Sequence, residues 1–425
     1  MIDRRAFLSA LGSGVAASSL GCSFLKKGRS EKRKKIAVVA TEWRNWSHVW
    51  HTSERFLVGY PVEGQWYHSP IELASVYMDQ FPENDLSRSR SKEFGFPIYP
   101  TIAEALRCGG DKLAVDGVLL IGEHGNYPKN EIGQKLYPRY EFFKETVEVF
   151  KQDGRSVPVF NDKHLSWKWE WSKEMLDTAR SMGFPFLAGS SLPLTWRLPS
   201  VEMPYGAEVE EVMCIAEGGI DSYDIHALET IQCMSERRKG GETGVSWLQA
   251  MEGESVWKAM EKGSFEKGGW DPQLFHSCLT RSHTLTQFEM VNHRYPKKKH
   301  MRQWVKNPII YRFQHNDGLK VTMLLMNGLV KDFTFAARLK GESKPLSTLF
   351  YLSPVPNVVH FAALMSKFEE MVMTGKAPYP PERTLLTSGL VIAGVQSLAQ
   401  GQKKMETPHL AINYQAPKKS HFLRS

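Results

Sequence analysis

The chain of 425 residues is poor in cysteine, in net charge over its main body and in long apolar runs. Its five cysteines (Cys22, Cys108, Cys214, Cys233 and Cys278) form no C-x-x-C pair. That removes zinc-ribbon and thioredoxin-type motifs, and the spacing sets up no disulfide framework. The formal charge of +8 looks like a nucleic-acid signal until it is located. Residues 1–35 carry nine Lys/Arg against two acids, a net of +7, which leaves the other 390 residues near +1. Nucleic acid is therefore not an expected partner. The run Lys297-Lys298-Lys299-His300 reads as a solvated loop. What remains is an ordinary globular composition long enough for about two domains.

The weakly apolar residues 9–20 are too few, and too rich in Gly, Ala and Ser, for a membrane-spanning helix. They follow Asp3-Arg4-Arg5-Ala6-Phe7-Leu8, which resembles a twin-arginine export signal. The resemblance implies the twin-arginine export machinery as a partner and a periplasmic or cell-envelope location. Leu20-Gly21-Cys22 resembles a lipoprotein cleavage site, with Ser19 where Leu is usual. Three fates stay open: a lipid anchor on Cys22, cleavage nearby, or retention of the signal as an anchor. Residues 23–35 read as a basic, disordered linker.

From residue 36 to about 195, short apolar runs alternate with helix-like segments, the pattern of a Rossmann-like doubly wound parallel sheet. The runs are 36–40, 73–78, 115–121, 157–160 and 184–188. Ligands of such sheets bind beyond the carboxyl ends of the strands. Thr41, Glu42 and Arg44 follow the first run, Asp79 the second, Glu123-His124 the third and Asp162-Lys163-His164 the fourth; Ser190-Ser191 follow the fifth, with Arg197 nearby. The stretch Val157-Pro158-Val159-Phe160-Asn161-Asp162-Lys163-His164 is the most pointed, an apolar run that turns abruptly into three ionisable side chains. Trp167 and Trp171 share a helix face. Packing against the sheet is expected of them, and stacking on a sugar is the alternative.

Residues 196–425 read as an α+β domain with an open-faced, mainly antiparallel sheet. Val209 to Ala216 opens it. Asn316-Asp317-Gly318 and Asn327-Gly328 carry hairpin-turn chemistry. Helices are expected at about 223–238, 357–374 and 382–400.

The order of segments resembles the glucose–fructose oxidoreductase / inositol dehydrogenase (Gfo/Idh/MocA) family over nearly the whole chain after residue 36. The matching pieces are Asp79, Phe94-Gly95 through Leu106, Asp116 to Ile121, and Asp162-Lys163-His164 where the family has Glu-Lys-Pro. Phe361 to Phe368, Thr374-Gly375 and Ser397 to Gly401 also match. The resemblance implies NAD or NADP as cofactor, a carbohydrate or polyol substrate and a homo-oligomer paired through the open sheet face. It implies Lys163 and His226 as acid–base groups. Thr41, Arg44, Asp79, Glu123 and Asp162 fall on the cofactor side, and His124, His164, Arg197, Tyr223 and Asp224 on the substrate side. The family has an Asp four positions before its His, whereas Ser222 stands there before His226. A satisfied core histidine is the plain alternative for His226.

One departure is large. Dinucleotide folds carry G-x-G-x-x-G after the first strand so that the main chain can close on a pyrophosphate. Here no glycine occurs between Ile36 and Val58, and Glu42 and Trp43 stand in the loop. Two further readings therefore accompany the redox one. The first is a lyase or epimerase acting next to a carbonyl, with or without a metal on Glu123, His124, Asp162 or His164. The second is a sugar-binding protein without catalysis.

Overall fold

The computed structural model describes residues 33–285 and 295–424. The twin-arginine segment, Cys22 and most of the basic linker lie outside the described residues. The first half runs β1 (Lys34–Ala40), α1 (His48–Val58), the hairpin β2 (Tyr60–Val62) and β3 (Gln65–Tyr67), β4 (Ile71–Met78), α2 (Ser87–Phe94) and β5 (Ile98–Tyr99). It continues with α3 (Ile102–Arg107), β6 (Gly117–Ile121), α4 (Arg139–Asp153), β7 (Val159–Asp162), α5 (Trp169–Met182) and β8 (Phe186–Gly189). Thr101 caps the N-terminus of α3. Thr101 Oγ1 accepts from the Glu104 amide at 3.1 Å and donates to its carboxylate at 2.8 Å.

The six main strands form one parallel sheet in the order β5-β4-β1-β6-β7-β8. Chain order reverses beside β1, so the crevice over the carboxyl ends of β1 and β6 is the topological switch point. One face of the sheet packs on α3, α4 and α5, through Leu106, Phe143, Phe150, Met175 and Leu176. Trp171 stacks on Tyr140 at 4.5 Å and belongs to this packing.

The second half runs β9 (Trp196–Leu198), β10 (Val209–Ala216), α6 (Asp224–Ser235), β11 (Val245–Glu252), α7 (Glu254–Lys262), α8 (Pro272–Arg281) and α9 (Lys298–Trp304). Then come β12 (Ile309–His315), β13 (Lys320–Leu325), β14 (Phe333–Leu339), β15 (Leu346–Tyr351), α10 (Val359–Thr374), α11 (Glu382–Ala399) and β16 (Met405–Glu406). The sheet order is β16-β11-β12-β13-β10-β14-β15-β9. The turn at residues 316–318 closes the β12–β13 hairpin as expected. Asn327-Gly328 does not close one, because β10 lies between β13 and β14, parallel to the first and antiparallel to the second. The Asn327 side chain instead clamps Gly218, accepting from its amide at 2.6 Å and donating to its carbonyl at 2.8 Å.

Two further expectations change. The sheet face thought to be open is covered, since Met213, Ile215, Ile310 and Leu324 pack under Trp257, Leu274, Phe275 and Met301 of α7, α8 and α9. The opposite face packs on α6 and α11. Also, α10 does not pack with the second sheet despite its place in the chain. Leu364, Met365, Phe368, Met371 and Val372 cover the remaining face of the first sheet together with α1. A Cβ on Gly117 of β6 would come within 2.7 Å of Val372, so the glycine permits this close approach. Phe368→Ala should therefore destabilise the first sheet by about 3–5 kcal/mol, the usual cost of a buried Phe. Urea unfolding measures it, and a loss under about 1 kcal/mol would contradict the packing.

Candidate active site

Lys163 follows the last residue of β7 with φ 59°, a left-handed backbone that a lysine rarely adopts. Its amide donates to the Gly189 carbonyl at 3.1 Å, which fixes the turn. The side chain points inward and is 6% exposed. Its Nζ lies 3.0 Å from Glu123 Oε1, beyond the end of β6. The other Glu123 oxygen accepts from Arg139, at the start of α4. Arg139 in turn reaches His164 Nε2 at 2.9 Å. Gly122 makes room for it, since a Cβ there would sit 2.6 Å from Arg139 Cγ. The result is a buried chain Lys163–Glu123–Arg139–His164. Burial alone would raise the Glu123 carboxyl, but Lys163 and Arg139 hold it well below the usual carboxylate range. Burial, and then the Arg139 charge, push His164 well below the ordinary histidine value.

His226, near the start of α6, is brought to the same place. The Tyr223 ring lies 5.9 Å from Lys163 Nζ and 5.6 Å from the His226 ring. Burial first and the nearby Lys163 second push His226 well below its ordinary value, so the imidazole is neutral. Its Nδ1 is sealed from solvent without a hydrogen-bond partner. Tyr223 is 44% exposed and forms an open edge of the cleft. His124 has φ 72° and is lowered to about 3, by burial and then by His48. Asp221 has φ 56° and lies 3.8 Å from His164. Three non-glycine residues in left-handed conformations thus gather at one place, the pattern expected where strain serves a site.

The remaining expected residues divide. Asp162 is buried with one oxygen 2.6 Å from His48 Nδ1. Arg44 donates to Glu42 at 2.6 Å and lies 3.4 Å from His124 at the rim. Thr41 donates to the Glu123 carbonyl at 2.6 Å and so holds the backbone. Asp224 is taken up by structural bonds, accepting from the amides of Asp221, Ser222 and Ile225 in its own turn and from the Tyr311 hydroxyl of β12. Arg197 is set apart, buried under Phe350 and Phe422 beside Cys233. Arg139 and His48 were not singled out from the sequence. The only local hints are the helix start after Tyr137-Pro138 and the Ser47 cap. Among the described residues no group of three or more His, Cys, Asp or Glu is placed to hold a metal ion.

A nicotinamide dinucleotide would lie in the switch-point crevice, and the residues present do not fit it. Residues 123–127, leaving β6, cross the end of β1 and fasten to the end of β4. Asn126 donates to Gln80 Oε1 at 2.9 Å and accepts from Gln80 Nε2 at 3.2 Å, while Tyr127 donates to Asp79. Asp79, the expected ribose ligand, also accepts from Tyr77 at 3.1 Å. Glu42 is buried where a pyrophosphate needs bare main chain, and Trp43 is buried against Phe96.

The loop of Asp221 gives a pH test. Burial first, then the Asp224 charge among its opponents, raise Asp221 from 3.8 to about 7. A carboxyl raised on folding favours the native state at low pH and withdraws that support as pH climbs from about 4 through 7. Asp221→Asn should therefore be stabilising relative to wild type at about pH 8, with the gain shrinking toward pH 5. Urea midpoints at both pH values measure this, and an equal effect at both contradicts it.

No protein-family model and no curated protein matches the chain. Solved structures match over most of its length. They include myo-inositol dehydrogenase from Lactobacillus casei in complex with NAD(H) and myo-inositol, at 11% identity and a TM-score of 0.52, covering 92% of this chain and all of that one. A probable dehydrogenase from Thermotoga maritima matches at 11% and 0.53, over 88% and 99% of the two chains. GenD2 from gentamicin A biosynthesis, in complex with NAD, matches at 12% and 0.53, over 88% and 96%. At such identities the likeness is one of fold: the chain has the two-sheet fold of the inositol dehydrogenases and related Gfo/Idh/MocA-type dehydrogenases.

Proposed function

We propose that the protein is an exported enzyme acting on a carbohydrate or polyol, with His226 moving a proton at a carbon next to a carbonyl and Lys163 steadying the charge that forms. The observation that carries this reading is the meeting of the Lys163 amine and the neutral His226 imidazole around Tyr223. His226 takes a proton from the carbon next to a ketone, and the electron pair moves into an enolate. The Lys163 cation, held by Glu123, faces the charge that develops on the enolate oxygen. That charge offsets the Lys163 field, so the proton affinity of His226 rises as the proton arrives. Returning the proton to the opposite face inverts the centre. Losing a neighbouring hydroxyl with that proton releases water and leaves an unsaturated ketone.

A second reading is nicotinamide-dependent oxidation of the same substrate class. It is favoured by the fold's likeness to dehydrogenases solved with NAD(H). It uses the same two side chains on a hydroxyl proton, and nicotinamide supplies the hydride acceptor. The bridged crevice weighs against it.

Incubation with 2-keto-myo-inositol in heavy water separates the two. Deuterium should enter beside the carbonyl, followed by proton NMR, without added nicotinamide. Lys163→Ala should slow this by roughly 10²–10⁴-fold, and an unchanged rate would sink the assignment. Nicotinamide fluorescence titration should show no binding of NADH or NADPH, and saturable binding would favour the second reading.

A further inference from the structure

His48 is the first residue of α1, after the Ser47 cap, and stands at the carboxyl edge of the parallel sheet. Its Nδ1 lies 2.6 Å from Asp162 Oδ2. Asp162 is 1% exposed and its other oxygen has no hydrogen-bond partner. A carboxylate only accepts, so the proton between them sits on His48 Nδ1, which leaves Nε2 as the ring nitrogen open to a second partner. The His48 side chain is 12% exposed, and Nε2 is not among the sealed polar atoms. The ring is held in place by edge contacts to His124 at 5.3 Å and to Phe361 of α10 at 5.2 Å. His124, which the ring touches, directly follows Glu123 in the chain, so His48 borders the same cleft. The chain therefore sends neighbouring side chains to two groups of one cleft: Asp162 to His48, and Lys163 to Glu123.

We propose that His48, oriented by Asp162, is a second acid–base catalytic residue of this cleft, working with His226. This rests on the acid–base reading above and deepens it. Two imidazoles, one taking a proton from carbon and the other giving one back, suit inversion of a carbinol centre next to a ketone. Asp162 acts through His48 and is a positioning residue. The plain alternative is that His48 merely ties α1 to β7.

Two substitutions separate these. His48→Gln keeps a donor for Asp162 and so keeps the tie, but it cannot carry a proton between substrate and solvent. It should melt within about 3 °C of wild type. Its inversion of the carbinol centre beside the ketone of 2-keto-myo-inositol, followed by proton NMR, should fall by roughly 10²–10⁴-fold. Asp162→Asn can donate to Nδ1 and so trap the opposite tautomer. Nitrogen-15 NMR should find His48 protonated on Nδ1 in wild type and on Nε2 in Asp162→Asn. If His48→Gln inverts the centre at the wild-type rate, or wild-type His48 carries its proton on Nε2, the dyad is overturned while the Lys163–His226 reading stands. If wild type itself brings no deuterium into the ketone, both fall together.

Discussion

The arrangement at the sheet edge depends on one buried carboxylate. Glu123 stands between Lys163 and Arg139, and each cation is tolerable inside the protein only because of it. The pairing aims the Lys163 amine at Tyr223 and His226. It also stations Arg139 against His164. Removing the negative charge would leave two desolvated cations facing each other, so the loops after β6 and β7 are fixed by electrostatics as well as by packing.

The fold and its site tell different stories about ligand chemistry. The sheet order places a crevice where dinucleotide folds bind their cofactor, yet the protein's own loop spans it. Here the bonds at the far side come from Gln80 and Asp79, and the loop that makes them begins at Glu123. Closure of the crevice and placement of the carboxylate that holds Lys163 are thus two duties of one segment.

Much of the first sheet was legible because its signals are local. A short apolar run that breaks into Asp162-Lys163-His164 announces a strand and its carboxyl edge, and Thr101 with Glu104 announces a cap. Lys163 and His226 could be paired only through the family resemblance, since nothing local links residues so far apart. Arg139 was not legible. Its role follows from passing beneath Gly122, a contact that neither residue advertises. His48 was hidden for a similar reason, because its partner is 114 residues away. Asp224 misled in the opposite direction, an acid beside a histidine whose carboxylate is spent on its own turn. The insertion of β10 between β13 and β14 escaped because Asn327-Gly328 has the composition of a tight turn but clamps Gly218 instead.

The placement of α10 has a consequence for how the chain is made. One face of the first sheet is ready by residue 189, yet α1 covers only part of it and the rest of its cover comes from residues 359–374. At about 5–20 residues per second, the ribosome leaves that part of the apolar face bare for roughly ten seconds or more. The nascent polypeptide is then a natural client for holding chaperones, and a product released early, before α10 emerges, would be prone to aggregate.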